Sequence, residues 1–309
     1  MDTDRLEMNA EERQTRRNPG PTWGYALIYF VSRILPWPLM RFVLRISSLV
    51  AMGLMGKERR SSREFLTHAL GRPSTFWDSW RHFSEFSEFL VRRFDAAGGS
   101  APEFYSDDGS KERLAELTDS GMQALHGTFH FGNSDLMGFW LSDFDISIRM
   151  VRYQVGNSND LKWLEKRFGD KVGFLWVNDP SNLLFALKAA VEEGHSIAMK
   201  CDRVEHSSKL EVFEFLGDSR WFPFTIYHLS ILFEVPVMFS FGLPKGRHGT
   251  QVYTSEVFRP VGNTKREKLA AARIHFKETL GLLERLVKEN PYQWFNFLDA
   301  VPIADKGDK

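Results

Sequence analysis

Hydrophobic and polar positions follow two different periods along this chain. Between residues 58 and 98 apolar side chains recur every three or four positions, which indicates helices with one buried face. Ser61–Glu64 can cap the start of a helix, and Gly71–Pro73 ends it. From Met122 onward, short apolar runs alternate with helical patterns. This alternation predicts an α/β fold with a central, mostly parallel sheet flanked by helices.

Three of the predicted strands end in polar residues. The predicted strands are 122–130, 147–153, 172–177, 196–201, 212–215, 235–241 and 252–258, and the predicted helices that follow residue 98 are 111–119, 160–168, 182–193, 226–233 and 265–289. Ligands of such sheets bind beyond the carboxyl ends of the strands. We therefore expect a site formed by His130 with Asp135, Arg152 with Tyr153, and residues 200–203.

The N-terminal part changes character at residue 23. Residues 1–22 form a polar lead-in, whereas residues 23–57 contain no acidic residue. Arginines and a lysine divide this stretch into apolar runs far shorter than the roughly 20 residues of a membrane span, and Pro36 and Pro38 break it near the middle. We expect two amphipathic helices joined at 35–38 that lie on a membrane surface. A buried helical hairpin and a distorted span remain open, and residues 58–309 form the catalytic domain.

Composition excludes several classes of protein. The 309 residues are 43% hydrophobic, enough for a sizeable core, and the formal net charge of zero gives no reason to expect a nucleic-acid partner. The single cysteine, Cys201, excludes an internal disulfide framework and is expected to be a small buried residue. No residue cluster has metal-ligand spacing. The 27 Phe and 9 Trp suit a core, an acyl groove or a membrane interface.

The spacing from His130 to Asp135 is the pattern with catalytic potential. Acyl transfer to a hydroxyl needs a base, and imidazole titrates near neutral pH. A carboxylate on the second ring nitrogen fixes the tautomer, which we expect Asp135 to do across a bend at Gly132. Asn133 or Ser134 can cap a following helix, whose amides suit an oxyanion. A structural histidine remains the alternative, and we expect His126 to be a core histidine.

Several blocks of sequence resemble the lysophospholipid acyltransferase superfamily. Residues 127–135, GTFHFGNSD, resemble its His-x4-Asp/Glu motif and are closest to the branch of lipid A late (secondary) acyltransferases. Further similar blocks are MKCDR at 199–203, FEFLG at 213–217 followed by Phe222-Pro223, VPV at 235–237, and NPYQWF at 290–295. Asp135 stands where that branch usually has Glu. With Asp202-Arg203, this indicates a less characterised subgroup of predicted acyltransferases.

The resemblance implies a glycerophosphate-acyltransferase-like fold and a membrane-associated acyltransferase. Such an enzyme moves a fatty acyl chain from an acyl carrier protein or coenzyme A thioester to a hydroxyl or amine of a lipid or glycolipid. It implies His130 as the base and Asp135 as its orienter, with no cofactor and no metal. The expected substrate-binding residues are Arg152, Asp202, Arg203, Asn133 and Arg220.

Location, assembly and two competing functions are further expectations. The resemblance implies the cytoplasmic face of a bacterial inner membrane, and we expect a monomer. A thioesterase or lipid hydrolase would use the same histidine on water. A non-catalytic lipid-binding protein would keep the fold without using the pair.

Overall fold

The computed structural model describes residues 30–97, 102–119, 121–142, 144–152, 171–177, 180–296 and 302–304. Residues 30–34 are helical, and the chain breaks at Leu35-Pro36 before α1 (Trp37–Leu54) begins. Pro38 lies in the first turn of α1, where a missing N–H costs nothing. The break therefore falls within the predicted junction at 35–38, but Trp37 and Pro38 already belong to α1. Residues 23–29 lie outside the described part. α2 (Gly56–Leu70) and α3 (Phe76–Ala97) follow.

Helix α1 packs one face on α3 and leaves the opposite face exposed. The buried face repeats every four residues and consists of Met40, Leu44, Ser48 and Met52. Arg41 Nε donates to Glu88 Oε1 at 2.8 Å, and Trp80 Nε1 donates to the carbonyl of Arg45 at 2.9 Å. The exposed face carries Leu39, Phe42, Val43, Ile46, Leu49, Val50 and Leu54. Among the described helices, α1 is the one long and apolar enough to cross a membrane.

The central sheet is mostly parallel, as predicted. Its strands are β1 (Glu103–Ser106), β2 (Leu125–Thr128), β3 (Ile148–Arg152), β4 (Val172–Trp176), β5 (Ser196–Lys200), β8 (Val237–Lys245) and β9 (Gly249–Thr254). Within the described residues their order is β1-β9-β8-β2-β5-β3-β4, and β8 with β9 is the antiparallel pair. β6 (Leu210–Phe215) pairs with β7 (Asp218–Pro223) in a separate two-stranded sheet. The hydrophobic pattern predicts β6 but neither β1 nor β7.

Helices flank this sheet. They are α4 (Asp108–Asp119), α5 (Met137–Ser142), α6 (Pro180–Glu192), α7 (Thr225–Phe233) and α8 (Lys265–Glu289). α8 has the predicted bounds, and the predicted helix at 160–168 lies outside the described residues. The predicted start of α2 at Ser61 is wrong. Ser62 lies inside that helix and its Oγ contacts His82 Nδ1 at 2.9 Å, so it serves α3 packing rather than a cap.

Strand β2 lies in the centre of the core. Leu125 and Phe129 belong to an aromatic core cluster that also contains Phe222, Phe239, Phe276 and Trp294. Successive side chains of a strand point to opposite faces, so His126, Thr128 and, past the strand end, His130 share the other face. Much of the unusual phenylalanine content is thus core. The alternation also brings His130 to the carboxyl edge of the sheet.

Candidate active site

Two neighbouring strands bring His130 and Asp202 together. β2 and β5 are parallel, and Thr128 at the end of β2 is in register with Lys200 at the end of β5. The amide of Cys201 donates to the carbonyl of Thr128 at 2.8 Å, so the pairing continues past the strands. His130 and Asp202 each lie two residues beyond that register point. They therefore leave adjacent strands on the same face.

The acid that contacts His130 is Asp202. Nδ1 of His130 lies 2.7 Å from Oδ1 of Asp202, and the amide of His130 donates to Oδ2 at 2.7 Å. Asp202 is fully buried, whereas a fifth of the His130 side chain is exposed. With Asp202 ionised, Nδ1 carries the proton and Nε2 is left as an acceptor. The expectation that Asp135 contacts this imidazole is wrong.

Asp135 instead binds three cations. It lies in a 3₁₀ turn, Ser134–Leu136, and its Oδ1 is 2.5 Å from Lys200 Nζ. Its Oδ2 is 3.0 Å from Arg93 Nη1 and 3.2 Å from Arg152 Nη2. We call Asp135 with Arg93, Arg152 and Lys200 the Asp135 cluster. Both carboxylate oxygens are engaged, which explains why Asp135 does not serve His130.

Burial and charge set the protonation of these groups. Burial lowers the pKa of His130 to about 4, and the charges of Lys200 and Arg203 act in the same direction, against Asp202. His130 is therefore neutral at pH 7 and able to accept a proton. Although burial opposes it, the charges of Lys200, Arg93 and Arg152 hold the pKa of Asp135 well below its usual value. His130 likewise lowers the pKa of Asp202 against its burial.

The loop after His130 is fixed by backbone hydrogen bonds. The amides of Phe131, Gly132 and Asn133 donate to the carbonyls of Phe129, Gln293 and Gly242, each at 2.7 Å. These three amides are occupied, so none of them is available to an oxyanion. The sequence argument assigned the oxyanion to the amides of the turn that follows, Ser134–Leu136, and that assignment stays a prediction. Cationic side chains beside His130 are further candidate donors.

Gly132 must be glycine at this bend. Its φ is +54°, and a Cβ there would lie 2.0 Å from the carbonyl oxygen of Gly242. Both the left-handed backbone and the close approach exclude a side chain. The predicted tight bend at Gly132 is confirmed.

The block at 290–295 supports the His130 loop from the C-terminal side. The amide of Phe295 donates to the carbonyl of His130 at 2.7 Å, and His82 Nε2 contacts the carbonyl of Trp294 at 2.5 Å. Asn296 Nδ2 donates to the carbonyl of Asp202 at 3.2 Å. The C-terminal segment, which is remote in sequence, thus holds the backbone of both members of the His130–Asp202 pair.

The other predicted site residues have different outcomes. Asn133 is 1% exposed, and its Nδ2 donates to Thr250 Oγ1 at 2.8 Å. Its side chain does not cap the turn that follows, so that expectation is wrong, whereas its role in substrate binding stays a prediction. Arg152 belongs to the Asp135 cluster. Nε of Arg203 has no hydrogen-bond partner among the described residues, and its charge acts on His130. Arg220 contacts Asp218 at 2.8 Å on β7, and its role in binding stays a prediction.

The sequence argument assigns no role to two residues of the Asp135 cluster. Lys200 is included in the predicted strand end at 200–203, but without a role of its own. Arg93 comes from α3, to which the strand-end rule does not apply. Tyr153 lies outside the described residues.

His126 and Cys201 are core residues, as expected. His126 is 2% exposed, neither ring nitrogen has a hydrogen-bond partner among the described residues, and burial lowers its pKa to about 4. Cys201 is buried, and burial raises the pKa of its thiol. Within the described part of the chain, no group of His, Cys, Asp and Glu is arranged to hold a metal ion.

Comparisons with known proteins give weak structural similarity. No family model and no curated protein matches the chain. Among solved structures it is similar to the crystal structure of the 1-acyl-sn-glycerophosphate (LPA) acyltransferase PlsC from Thermotoga maritima. The identity is 10% and the TM-score 0.38, with 80% of this chain and 97% of that chain covered. A similarity of this size carries no functional argument, which rests instead on the site.

Proposed function

We propose that this protein is a membrane-associated acyltransferase. It moves a fatty acyl chain from an acyl carrier protein or coenzyme A thioester to a hydroxyl or amine of a lipid or glycolipid. The observation that carries the proposal is the His130–Asp202 pair, in which Nδ1 of His130 contacts the buried carboxylate and Nε2 is left to accept a proton. The sequence blocks around 127–135 and 290–295 support it, because they are the blocks that resemble acyltransferases.

The reaction proposed for this site is a direct transfer. Nε2 of His130 takes the proton of the acceptor hydroxyl as its oxygen attacks the thioester carbonyl. The new C–O bond forms, the C–S bond breaks, and the departing thiolate takes the proton back from the imidazolium. Asp202 stabilises the imidazolium while it exists. General base catalysis of this kind contributes about 10²–10⁴-fold in rate.

Positive charge beside His130 favours a substrate with anionic groups. The charges of Lys200 and Arg203 act on His130 itself, and Asp135 holds Arg93 and Arg152 close to Lys200. One arginine side chain can bind two oxygens of a phosphate group at the same time. The same charges can stabilise the oxyanion of the thioester carbonyl. An acceptor lipid with phosphate, or the phosphate of the donor's carrier, fits this surface.

The N-terminal helices supply a surface suited to a membrane. The exposed apolar face of α1 ends at Leu54, next to a groove of about 540 Å³ lined by Arg59, Arg60 and Arg63 of α2. Exposed Phe76 and Trp77 follow closely in sequence after Ser74, which also lines that groove. Apolar side chains flanking basic ones favour a position at an anionic membrane interface. We propose the cytoplasmic face of a bacterial inner membrane.

Lipids from cells test the proposal. We expect cells that express the protein to contain a lipid whose mass is increased by one fatty acyl chain. Cells without the protein, or with His130→Ala at equal abundance, should lack that species. An acylated product that persists with His130→Ala would contradict the proposed mechanism, and an unchanged lipid profile with the active protein would contradict the proposed function.

A further inference from the structure

Two acids compete for the role of positioning His130. Asp135 has the five-residue spacing that drew attention to the motif, and Asp202 comes from another strand. Asp202 accepts two hydrogen bonds from His130, one from Nδ1 and one from the amide. Asp135 offers its two oxygens to Lys200, Arg93 and Arg152.

We propose that Asp202 positions His130 and that Asp135 has a separate task, holding Lys200, Arg93 and Arg152 in place beside the base. The consequence for catalysis rests on the proposed function, whereas the division between the two acids does not. Asp202 is thus a positioning residue that fixes which nitrogen of His130 carries the proton.

The surroundings of Asp202 suit this role. Its side chain is completely buried, and Asn296 holds its backbone carbonyl. A carboxylate bound by both the amide and the ring of one histidine fixes the plane of the imidazole as well as its tautomer. Turning Asp135 toward His130 would instead break contacts with cations on three elements, α3, β3 and β5.

The substitution Asp202→Asn removes the negative charge of this side chain but keeps its size. The amide of His130 requires an acceptor, so the oxygen of the new carboxamide stays with it and the NH₂ group faces Nδ1. Nδ1 must then accept, and the proton moves to Nε2. The nitrogen that should serve as base is thereby blocked, although the side chain keeps its size.

Nitrogen NMR on the full-length protein in detergent micelles tests this without any substrate. The protein is labelled with ¹⁵N-histidine, and the signals of His130, one of nine histidines, are assigned with His130→Gln. We expect the Nδ1–H tautomer at pH 7 in the wild type and in Asp135→Asn, and the Nε2–H tautomer in Asp202→Asn. An Nε2–H tautomer in the wild type would overturn the proposal, even if the Asp202 variant did not fold. A switch in Asp135→Asn but not in Asp202→Asn would also overturn it.

Kinetics supply an independent reading. In a transfer assay, Asp202→Asn should lower kcat by about 10²–10⁴-fold with little change in KM, because the wrong tautomer disables the base. Asp135→Asn should instead raise KM for the anionic substrate. The reverse pattern would contradict the division of roles. Absence of any transfer by the wild type, with the NMR result as expected, would refute the proposed function and leave the assignment of Asp202 standing.

Discussion

Lys200 and Asp202 leave the end of one strand on the same face and contact different partners. Lys200 Nζ lies 2.5 Å from Asp135 Oδ1, and Asp202 Oδ1 lies 2.7 Å from His130 Nδ1. Residues two apart on an extended chain share a face, so a single strand end supplies both a cation for the Asp135 cluster and the acid for the base. The two tasks are adjacent, yet they use separate carboxylates.

Replacing His130 and His126 one at a time should distinguish the catalytic base from a buried core histidine. We expect His130→Ala to lower acyl transfer by at least 10²-fold, because no other group replaces the base. His126→Leu should keep most of the activity, since its ring is buried and both nitrogens lack partners among the described residues. Initial rates of purified, folded variants measure both effects. Equal loss in the two variants would contradict the assignment.

Gly132→Ala should destabilise the protein and the His130 loop together. The added Cβ would meet the Gly242 carbonyl at a φ that favours glycine, and we expect a loss of stability of about 1–3 kcal/mol. Gly281→Ala is the matched control, because nothing lies within 4 Å of its Cβ position on α8. There the change should stabilise by up to about 1 kcal/mol. Denaturant unfolding curves check both values, and a neutral Gly132→Ala would show that the bend tolerates a side chain.

Acid should destabilise the protein through its buried histidines. Burial lowers the pKa of His82 and of His126 to about 4 from the ordinary 6.5. The unfolded chain therefore binds protons first, so stability is complete above pH 6.5 and falls as the pH drops toward 4. Each histidine contributes about 3 kcal/mol of this loss.

Urea unfolding between pH 4 and pH 7 measures this dependence. His126→Leu should make the free energy of unfolding less dependent on pH, because one proton-binding group is removed. Its stability at pH 7 should not fall by much, since the replaced ring nitrogens have no described partner. An unchanged pH dependence in His126→Leu would contradict the burial argument.

Membrane binding should depend on the α2 groove. We expect the wild type to bind vesicles that contain phosphatidylglycerol more tightly than phosphatidylcholine vesicles, with the difference reduced by salt. Replacing Arg59, Arg60 and Arg63 by Gln should weaken binding to the anionic vesicles by about tenfold or more. Replacing Lys265, Arg266 and Lys268 of α8 by Gln removes the same number of charges, is the control, and should have little effect. Sedimentation with vesicles measures the partition, and equal losses in the two variants would indicate net charge alone.

Periodicity predicted most of the fold because its signals are local. α8 and the helical stripe of α3 follow from spacing alone, and five parallel strands follow from alternation. β1 and β7 were not predictable in this way. β1 is a four-residue edge strand with two exposed and two partly exposed residues, and β7 obtains its order from pairing with β6.

The site was only partly predictable for a related reason. His130 and the cluster of polar strand ends follow from topology, which any parallel sheet imposes. The acid that contacts His130 depends on the register between β2 and β5. No local sequence pattern predicts that register. Five-residue spacing suggested Asp135, but the cations that bind it come from residues 93, 152 and 200. The contacts of Asp135 therefore depend on residues distant in sequence, which local spacing does not indicate.

The most direct test of the account is the dependence of thioester cleavage on a lipid acceptor. Purified protein is given a radiolabelled acyl thioester, on coenzyme A or on acyl carrier protein, with and without extracted membrane lipids. We predict that label enters lipid only when acceptor is present, that free fatty acid forms slowly without it, and that His130→Ala does neither. Release of free fatty acid at the full rate without acceptor would contradict the account and identify a hydrolase.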